Sequence, residues 1–324
     1  MPRLPTLADV NAARRRLEGI ALHTPLEISR ELAEETGATE VRLKREELQP
    51  TGAFKTRGAH HKVGLIAEGR PEAALVTASS GNHGIAVATA AARHDMRLTV
   101  LVGRQISAAK LERLRALETR RITVELFGDD TDDAEAEARR RDDAGHAVYV
   151  PPYQDADVIA GQATVGVEIL ADWPEVDTIL VPIGGGGLIS GIGLWAKAVK
   201  PDLRLVGVQP AASPPMYAFF ETGSTDAMPI APTIADGVAG NIERSSITWE
   251  LCRRLVDDVV IVDEDEIAGA MRWALEIPHT LLEGSAALGI AALLARRVSV
   301  TDRRVAVVTT GRNVSPDVLR GVIA

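Results

Sequence analysis

The sequence predicts an α/β fold built on parallel sheets, and three observations carry that prediction. Short, nearly continuous apolar runs rich in Val, Ile and Leu recur along the chain. Amphipathic stretches of helical length separate them, and several of the runs end in glycine-rich or hydroxyl-rich turns. Strands buried on both faces lose the in–out alternation of a half-exposed strand, and parallel neighbours need a crossover helix between them.

In chain order, the candidate strands are "ALVTAS" (74–79), "RLTVLVG" (97–103), "RITVELFG" (121–128) and "HAVYVPPY" (146–153), then "DTILVPIG" (177–184), "LRLVGVQP" (203–210) and "RRVAVVTTG" (303–311). The stretches "SAAKLERLRALE", "TDDAEAEARRRDDAG" and "DVIAGQATVGVEILADW" read as helices between them, the second with a solvated charged face. The Pro-rich segment "PAASPPMYAFFETGSTDAMPIAP" (210–232) reads as a loop. No fixed-period repeat and no low-complexity tract interrupts this order.

Bulk composition narrows the function. A chain of 324 residues can bury a large core and favours two domains over one. Hydrophobic residues make up 46% and charged residues 25%, an ordinary globular balance. A formal charge of -9, with arginines interspersed among acids, argues against a nucleic-acid surface. The lone Cys252 leaves no intramolecular disulfide framework and fits a reducing cytosol, and "ITWELCRRL" places its thiol among apolar neighbours. No secretory signal is evident at the start, and no apolar run has the length of a membrane helix, so a soluble cytoplasmic protein is expected. The seven histidines show no metal-ligand spacing, since adjacent His60 and His61 diverge on a helix, and no G-x-S-x-G elbow appears. No metal site is expected.

Four stretches could carry chemistry. The first is "QPTGAFKTRGAHHK". Six lysines stand against thirty arginines, so a lysine at position 55 points to something a guanidinium cannot do, namely lose its proton and attack a carbonyl. The bland reading of Lys55 is a solvated lysine at a helix start. The second is "VPIGGGGLISGIGLWAKAV", where a strand runs into Gly184, Gly185, Gly186 and Gly187 and then a helix. Such a loop lets backbone N–H groups converge on a phosphate at a helix N-terminus. It matches neither the Walker A nor the dinucleotide pattern, and a tight strand-to-helix turn would need only one or two of those glycines. The third is "TASSGNHGIAVATAAA", whose Ser79, Ser80, Gly81, Asn82 and His83 suit a small carboxylate, against simple N-capping by Ser79 or Ser80 and a structural His83. The fourth is "VVTTGRNVSPDV", which sets Thr309 and Thr310 at the carboxyl edge of a parallel sheet. A hydroxyl there can donate to a ring nitrogen without adding charge. A plain strand-ending turn is the alternative. Together, a reactive amine, a phosphate cradle, a carboxylate loop and a neutral hydroxyl are what a pyridoxal phosphate enzyme acting on an amino acid requires.

With these residues in hand, the sequence resembles the fold type II pyridoxal-phosphate enzymes, specifically the threonine/serine dehydratase and serine racemase group. "HTPL", "KREELQPTGAFKTRGA", "SSGNHG", "VIAGQ", "PIGGGGLISG", "TIADG" and "LLEGSAA" fall in that family's order and cover nearly the whole chain. The resemblance implies two open parallel-sheet domains like those of tryptophan synthase β, with the cofactor in the cleft. The large domain would be 1–69 with 149–324, and the small mobile domain 70–148. It further implies that Lys55 is the Schiff-base lysine and the base at Cα, with Phe54 packed against the ring and Gly184 to Gly187 on the phosphate. Asn82 would bond the ring's 3-hydroxyl and Thr310 would sit at the pyridine nitrogen. Ser79, Ser80, Gly81 and His83 would surround the substrate carboxylate, while Asp236, Gly237 and Glu283 line the substrate side, Glu283 also reaching the cofactor. The implied assembly is a homodimer or homotetramer.

The activity implied is dehydration and deamination of a 3-hydroxy amino acid, L-threonine or L-serine, to a 2-oxo acid and ammonia. A threonine hydroxyl is too weak an acid to keep the pyridine nitrogen protonated, which restrains the electron sink and favours expulsion of a β-substituent. The rivals are an amino-acid racemase, with Ser80 as the second proton donor, a β-replacement enzyme, and a non-catalytic binding module that would not need Lys55. Some relatives bind a cation through a glutamate and an aspartate where this chain has Gln209 and Pro215. Arg312 replaces a small residue and is expected to add a cation near the ring. Tyr153 stands where relatives carry Phe or Asn and is expected to shape the substrate pocket. Only 14 residues follow Thr310, so no regulatory domain and a catabolic role are expected.

Overall fold

The computed structural model describes residues 3–324. Its strands are β1 (Leu26–Ile28), β2 (Glu40–Arg45), β3 (Ala74–Ala78), β4 (Arg97–Val102), β5 (Ile122–Leu126), β6 (Val148–Tyr149), β7 (Thr178–Pro182), β8 (Arg204–Pro210), β9 (Asp258–Val262) and β10 (Arg304–Thr309). The helices of the first half are α1 (Leu7–Leu17), α2 (Arg30–Thr36), α3 (Lys55–Gly69), α4 (Asn82–Arg93), α5 (Ala108–Arg115) and α6 (Thr131–Asp143). Those of the second half are α7 (Ala156–Asp172), α8 (Gly187–Val199), α9 (Pro215–Thr222), α10 (Ile247–Leu255), α11 (Glu264–Glu276), α12 (Gly284–Leu294) and α13 (Pro316–Ile323).

Two sheets result. One is six-stranded, in the order β1-β2-β10-β7-β8-β9, and the other four-stranded, β5-β4-β3-β6. Every pairing is parallel except β1 with β2. The seven strands expected from apolar runs are all present. Three more, β1, β2 and β9, were not anticipated. β1 has only three residues, and β2 reads "EVRLKR", with four charges in six positions. The segment 210–232 is not wholly a loop, because it contains α9. Pro215 occupies the helix's first position, where a missing N–H costs nothing, and Gly223 ends it at φ 75°.

Burial on both faces explains the unbroken apolar runs. Along β10, Val305 and Val307 pack into the layer that holds α11 and α12, whereas Ala306 and Val308 pack into the layer of α7 and α8. The same split separates Leu180 from Ile179 and Val181 on β7. In the smaller sheet, Leu75 and Leu98 face α3 and α4, while Val76, Ala78 and Leu101 face α6. Helix starts follow local chemistry: Asp155 accepts from the N–H groups of Asp157 and Val158, and Asp263 and Glu266 form a reciprocal capping box.

The turns after β3, β7 and β10 all open onto one cleft of about 1090 Å³. In the six-stranded sheet, chain order runs outward from β7 through β8 and β9, then returns to β10 on the other side of β7. Open parallel sheets bind ligands beyond the strand ends at such a reversal. Among the described residues no helix is long and apolar enough to cross a membrane.

Candidate active site

Lys55 is the first residue of α3, and no side chain caps that helix. The loop carrying it is stitched to the turn after β10. Phe54 N–H donates to Thr310 O at 3.1 Å, Arg312 N–H donates to Gly52 O at 3.0 Å, and Ala53 bridges Gly311. Gly52 reaches this path at φ 77°, a conformation costly for other residues. Lys55 Nζ donates to Pro152 O at 2.7 Å and lies 5.2 Å from the centre of the Phe54 ring. Burial pulls its ammonium down to about 8, against the opposing charges of Glu135 and Glu283.

Behind Lys55 lies a group of buried charges that sequence reasoning missed. Arg57 Nε and Nη2 donate to Glu46 at 2.8 and 2.7 Å, and Nη1 and Nη2 donate to Glu168 at 2.6 and 2.8 Å. Lys44 Nζ adds a 2.6 Å bond to Glu168 and a 2.7 Å bond to Thr24 O. Arg57 and Lys44 are among the largest fully buried side chains. The alternation of one apolar and one charged residue in β2 was the only available signal.

The turn after β7 holds the four glycines. Gly186 sits at φ 84° as the cap of α8, with no side chain bonding the first-turn amides. A Cβ at Gly185 would overlap the Tyr153 ring, and one at Gly187 would lie 3.0 Å from Tyr153 Cβ. Side chains are therefore excluded where N–H groups converge at the positive end of α8, which makes an anion cradle. Tyr153 is pressed onto that loop, and its hydroxyl accepts from Glu243 N–H at 3.3 Å. Cys252 lies behind Gly186, and burial pushes its thiol up to about 12.

The turn after β3 leads into α4, whose cap is Gly81. Ser79 Oγ accepts from Gly81 N–H at 3.2 Å, so neither serine caps the helix and its first amides stay open to the cleft. His83 is buried, with Nε2 2.9 Å from Val150 O, and desolvation holds it neutral down to about 3. Asn82 Nδ2 donates to Glu283 Oε1 at 2.8 Å, and Asn313 N–H to Glu283 Oε2 at 3.0 Å. Glu283 stands at the start of α12, and burial raises its carboxyl to about 7.

The cleft brings together Phe54, Lys55, Ser79, Ser80, Gly81, Asn82, His83, Gly184 to Gly187, Asp236, Gly237, Glu283 and Thr310. Two expectations need correction. Thr309 does not face the cleft, since its hydroxyl donates to Lys44 O and to Glu47 Oε2 at 2.7 Å. Arg312 is exposed and contributes nothing to the cleft wall, and the nearby cation is Arg113, paired with Asn313 Oδ1. The charged stretch "DDTDDAEAEARRRDD" forms a helix with the solvated charged face expected of it, and Glu135 and Arg139 turn a second stripe of α6 into the cleft. Gln209 is fully buried, donating to Ile183 O at 3.2 Å and accepting from Tyr217 N–H at 2.9 Å.

A family-level comparison matches residues 18–311 to "Pyridoxal-phosphate dependent enzyme". The chain belongs to that family. Among similar proteins, the chain is 38% identical over 318 residues to L-threonine ammonia-lyase of Thermotoga maritima, covering 98% of this chain and 78% of that protein. It is 35% identical over 312 residues to L-threo-3-hydroxyaspartate ammonia-lyase of a Pseudomonas species, covering 96% of each. Among solved structures, maize serine racemase superposes with a TM-score of 0.90 at 31% identity, covering 99% of this chain and 97% of the other. The family's cofactor fits the residues present: a glycine loop packed so closely on Tyr153, Val238 and Thr248 that it has no room for side chains, a desolvated amine, and Ser285 Oγ, buried at the cleft wall without a partner among the described residues.

Proposed function

We propose that this pyridoxal-phosphate enzyme dehydrates and deaminates a 3-hydroxy amino acid, L-threonine or L-serine, to a 2-oxo acid and ammonia. The observation that carries the reading is the backbone stitching of Lys55, an amine near its neutral form, to Thr310, an uncharged hydroxyl with no hydrogen-bond partner among the described residues. The similarity to proteins named L-threonine ammonia-lyase and L-threo-3-hydroxyaspartate ammonia-lyase supports the reaction type.

Gly184 to Gly187 would hold the phosphate, Asn82 the 3-hydroxyl, Thr310 the ring nitrogen and Phe54 one face. Bound there, the cofactor supplies an electron sink conjugated with the substrate's amino nitrogen. The open amides at the start of α4, with the hydroxyls of Ser79 and Ser80, bind the substrate carboxylate and set Cα within reach of Lys55. Lys55 Nζ takes the Cα proton, which its lowered proton affinity permits near neutral pH. Neutral His83 anchors the carboxylate loop to Val150 O and adds no competing charge. We take 70–148 as the part that closes. Lys110 Nζ reaches Asp236 Oδ2 at 2.6 Å and Arg139 pairs with Glu243, contacts that would draw 70–148 over bound substrate and keep water out.

Racemisation is the second reading, favoured by Ser80 at the cleft wall and by the likeness to maize serine racemase. A panel of 3-hydroxy amino acids, scored for ammonia, 2-oxo acid and chirality, separates the two. Release of 2-oxo acid is expected, and D-serine without 2-oxo acid would reject the dehydratase. Lys55→Ala is expected to remove the absorbance of lysine-bound cofactor together with turnover. Light scattering of the purified protein tests the implied homodimer or homotetramer.

A further inference from the structure

Elimination from serine or threonine expels a hydroxyl, which departs readily only as water. Some group in the cleft must therefore hold a proton and face the substrate. Most titratable groups there are engaged otherwise. Glu283 also has a carboxyl raised by burial, but both its oxygens are taken up by N–H donors from Asn82 and Asn313, which leaves neither free to face the substrate. Asp236 is tied to Lys110, Glu243 to Arg139, and the His83 ring nitrogen nearest an acceptor is used on Val150 O. Lys55 is the base.

Glu135 is different. It projects from α6 into the cleft with a side chain only 16% exposed. Oε2 accepts from Arg139 Nη2 at 2.9 Å, while Oε1 has no hydrogen-bond partner among the described residues. Arg139 is itself fixed, paired with Glu243 and lying 5.6 Å from the Tyr149 ring centre, so Glu135 is held in one place. Burial raises the proton affinity of Glu135, with Asp132 adding to it and Arg139 and Lys55 opposing.

We propose that Glu135 is the general acid of the elimination, a role that rests on the dehydratase reading. Lys55 Nζ takes the proton from Cα, the electron pair of that Cα–H bond forms a Cα=Cβ double bond, and the Cβ–O bond breaks with its own pair passing to oxygen. Glu135 Oε1 delivers its proton to that oxygen, and water leaves. The step ends with an ammonium at Lys55 and a carboxylate at Glu135, two opposite charges that favour each other through space. Proton return from Lys55 to Glu135 through water resets the site with no outside reagent.

Leaving-group chemistry tests this. Chloride departs without a proton, so β-chloro-L-alanine bypasses a general acid whereas L-serine cannot. With the holoenzyme, Glu135→Gln is expected to lower initial turnover of L-serine about 10²–10⁴-fold, the usual range for a lost acid, and to leave β-chloro-L-alanine within about threefold. The absorbance of lysine-bound cofactor should stay unchanged. Glu135→Asp, a second variant, should show the same selective loss to a smaller degree. Equal losses on both substrates in both variants would overturn the proposal in favour of a structural role. Retained L-serine turnover would overturn it and assign the leaving-group proton to another group in the cleft. A wild-type enzyme that forms no 2-oxo acid from serine or threonine, yet processes β-chloro-L-alanine, would reject the dehydratase reading and the acid together.

Discussion

Replacing Arg57 by methionine tests whether the buried charges behind Lys55 hold the catalytic loop in place. Arg57 is 1% exposed and joins two carboxylates from separate segments, Glu46 after β2 and Glu168 on α7. Methionine keeps much of the stem volume but leaves Glu46 with Thr24 and Gln49 as donors and no cation bonded to it, the Lys44 charge acting only through space. Removing one partner from a buried ion pair costs about 3–5 kcal/mol, because the remaining charge stays desolvated. For a chain of this size that predicts a fall in Tm of roughly 4–7 °C. The sign with pH follows from Glu46, whose pKa is lowered against burial by Arg57 first. A depressed carboxyl stabilises above its unfolded value near ~4.3, and the contribution fades as pH falls through the folded value, so the gap between wild type and variant should narrow in acid. Adding Glu46→Gln to Arg57→Met should recover part of the loss, since the uncompensated charge is gone. Thermal unfolding followed by circular dichroism measures all three, with cofactor absorbance reporting on Lys55. An Arg57→Met protein melting within about 2 °C of wild type and binding cofactor normally would refute the reasoning.

Three further outcomes follow from the same geometry. Cofactor uptake by the apoprotein needs the neutral Lys55 amine, so its rate should rise about tenfold per pH unit below a break near 8 and level off above it; stopped-flow absorbance measures this. Gly185→Ala drives a Cβ into the Tyr153 ring and should weaken cofactor binding at least about tenfold by fluorescence titration, with added Tyr153→Ala restoring it. Gln209→Glu removes the donor to Ile183 O and should destabilise by about 1–3 kcal/mol in denaturant melts, while magnesium and chelators leave wild-type turnover unchanged.

The sequence made the sheets legible wherever burial on both faces produced an unbroken apolar run, as in "TILVP" of β7. It also exposed the glycines, because a four-glycine turn has few structural excuses. It hid residues whose function depends on direction. Thr309 and Thr310 are indistinguishable by type, yet one points into the core and the other into the cleft. Glu135 and Arg139 sit in a stretch whose composition is that of a solvated helix, and only the packing of α6 over β3 shows which stripe turns inward. Arg312 and Arg113 exchange the expected position of a cation because chain proximity to a turn does not decide where a long side chain ends.

β2 went unseen because its charges conceal it, and those charges explain why Lys55 stands where it does. β2 pairs with β10 in parallel register from Glu40 with Arg304 to Arg45 with Thr309. Both strands therefore end at one level, and the loop bearing Lys55 leaves beside the turn bearing Thr310, although the two residues are far apart in the chain. A slip of one residue would turn Lys44 away from Glu168 and Thr24 and into the apolar layer that Val41 and Leu43 occupy. The ion pairs thus pin the register, the register aligns the two turns, and backbone hydrogen bonds between Phe54 and Thr310 complete the alignment. A β2 of valines would be easier to find from hydropathy, but it would lack the buried cation that fixes which way the strand, and with it the reactive amine, must face.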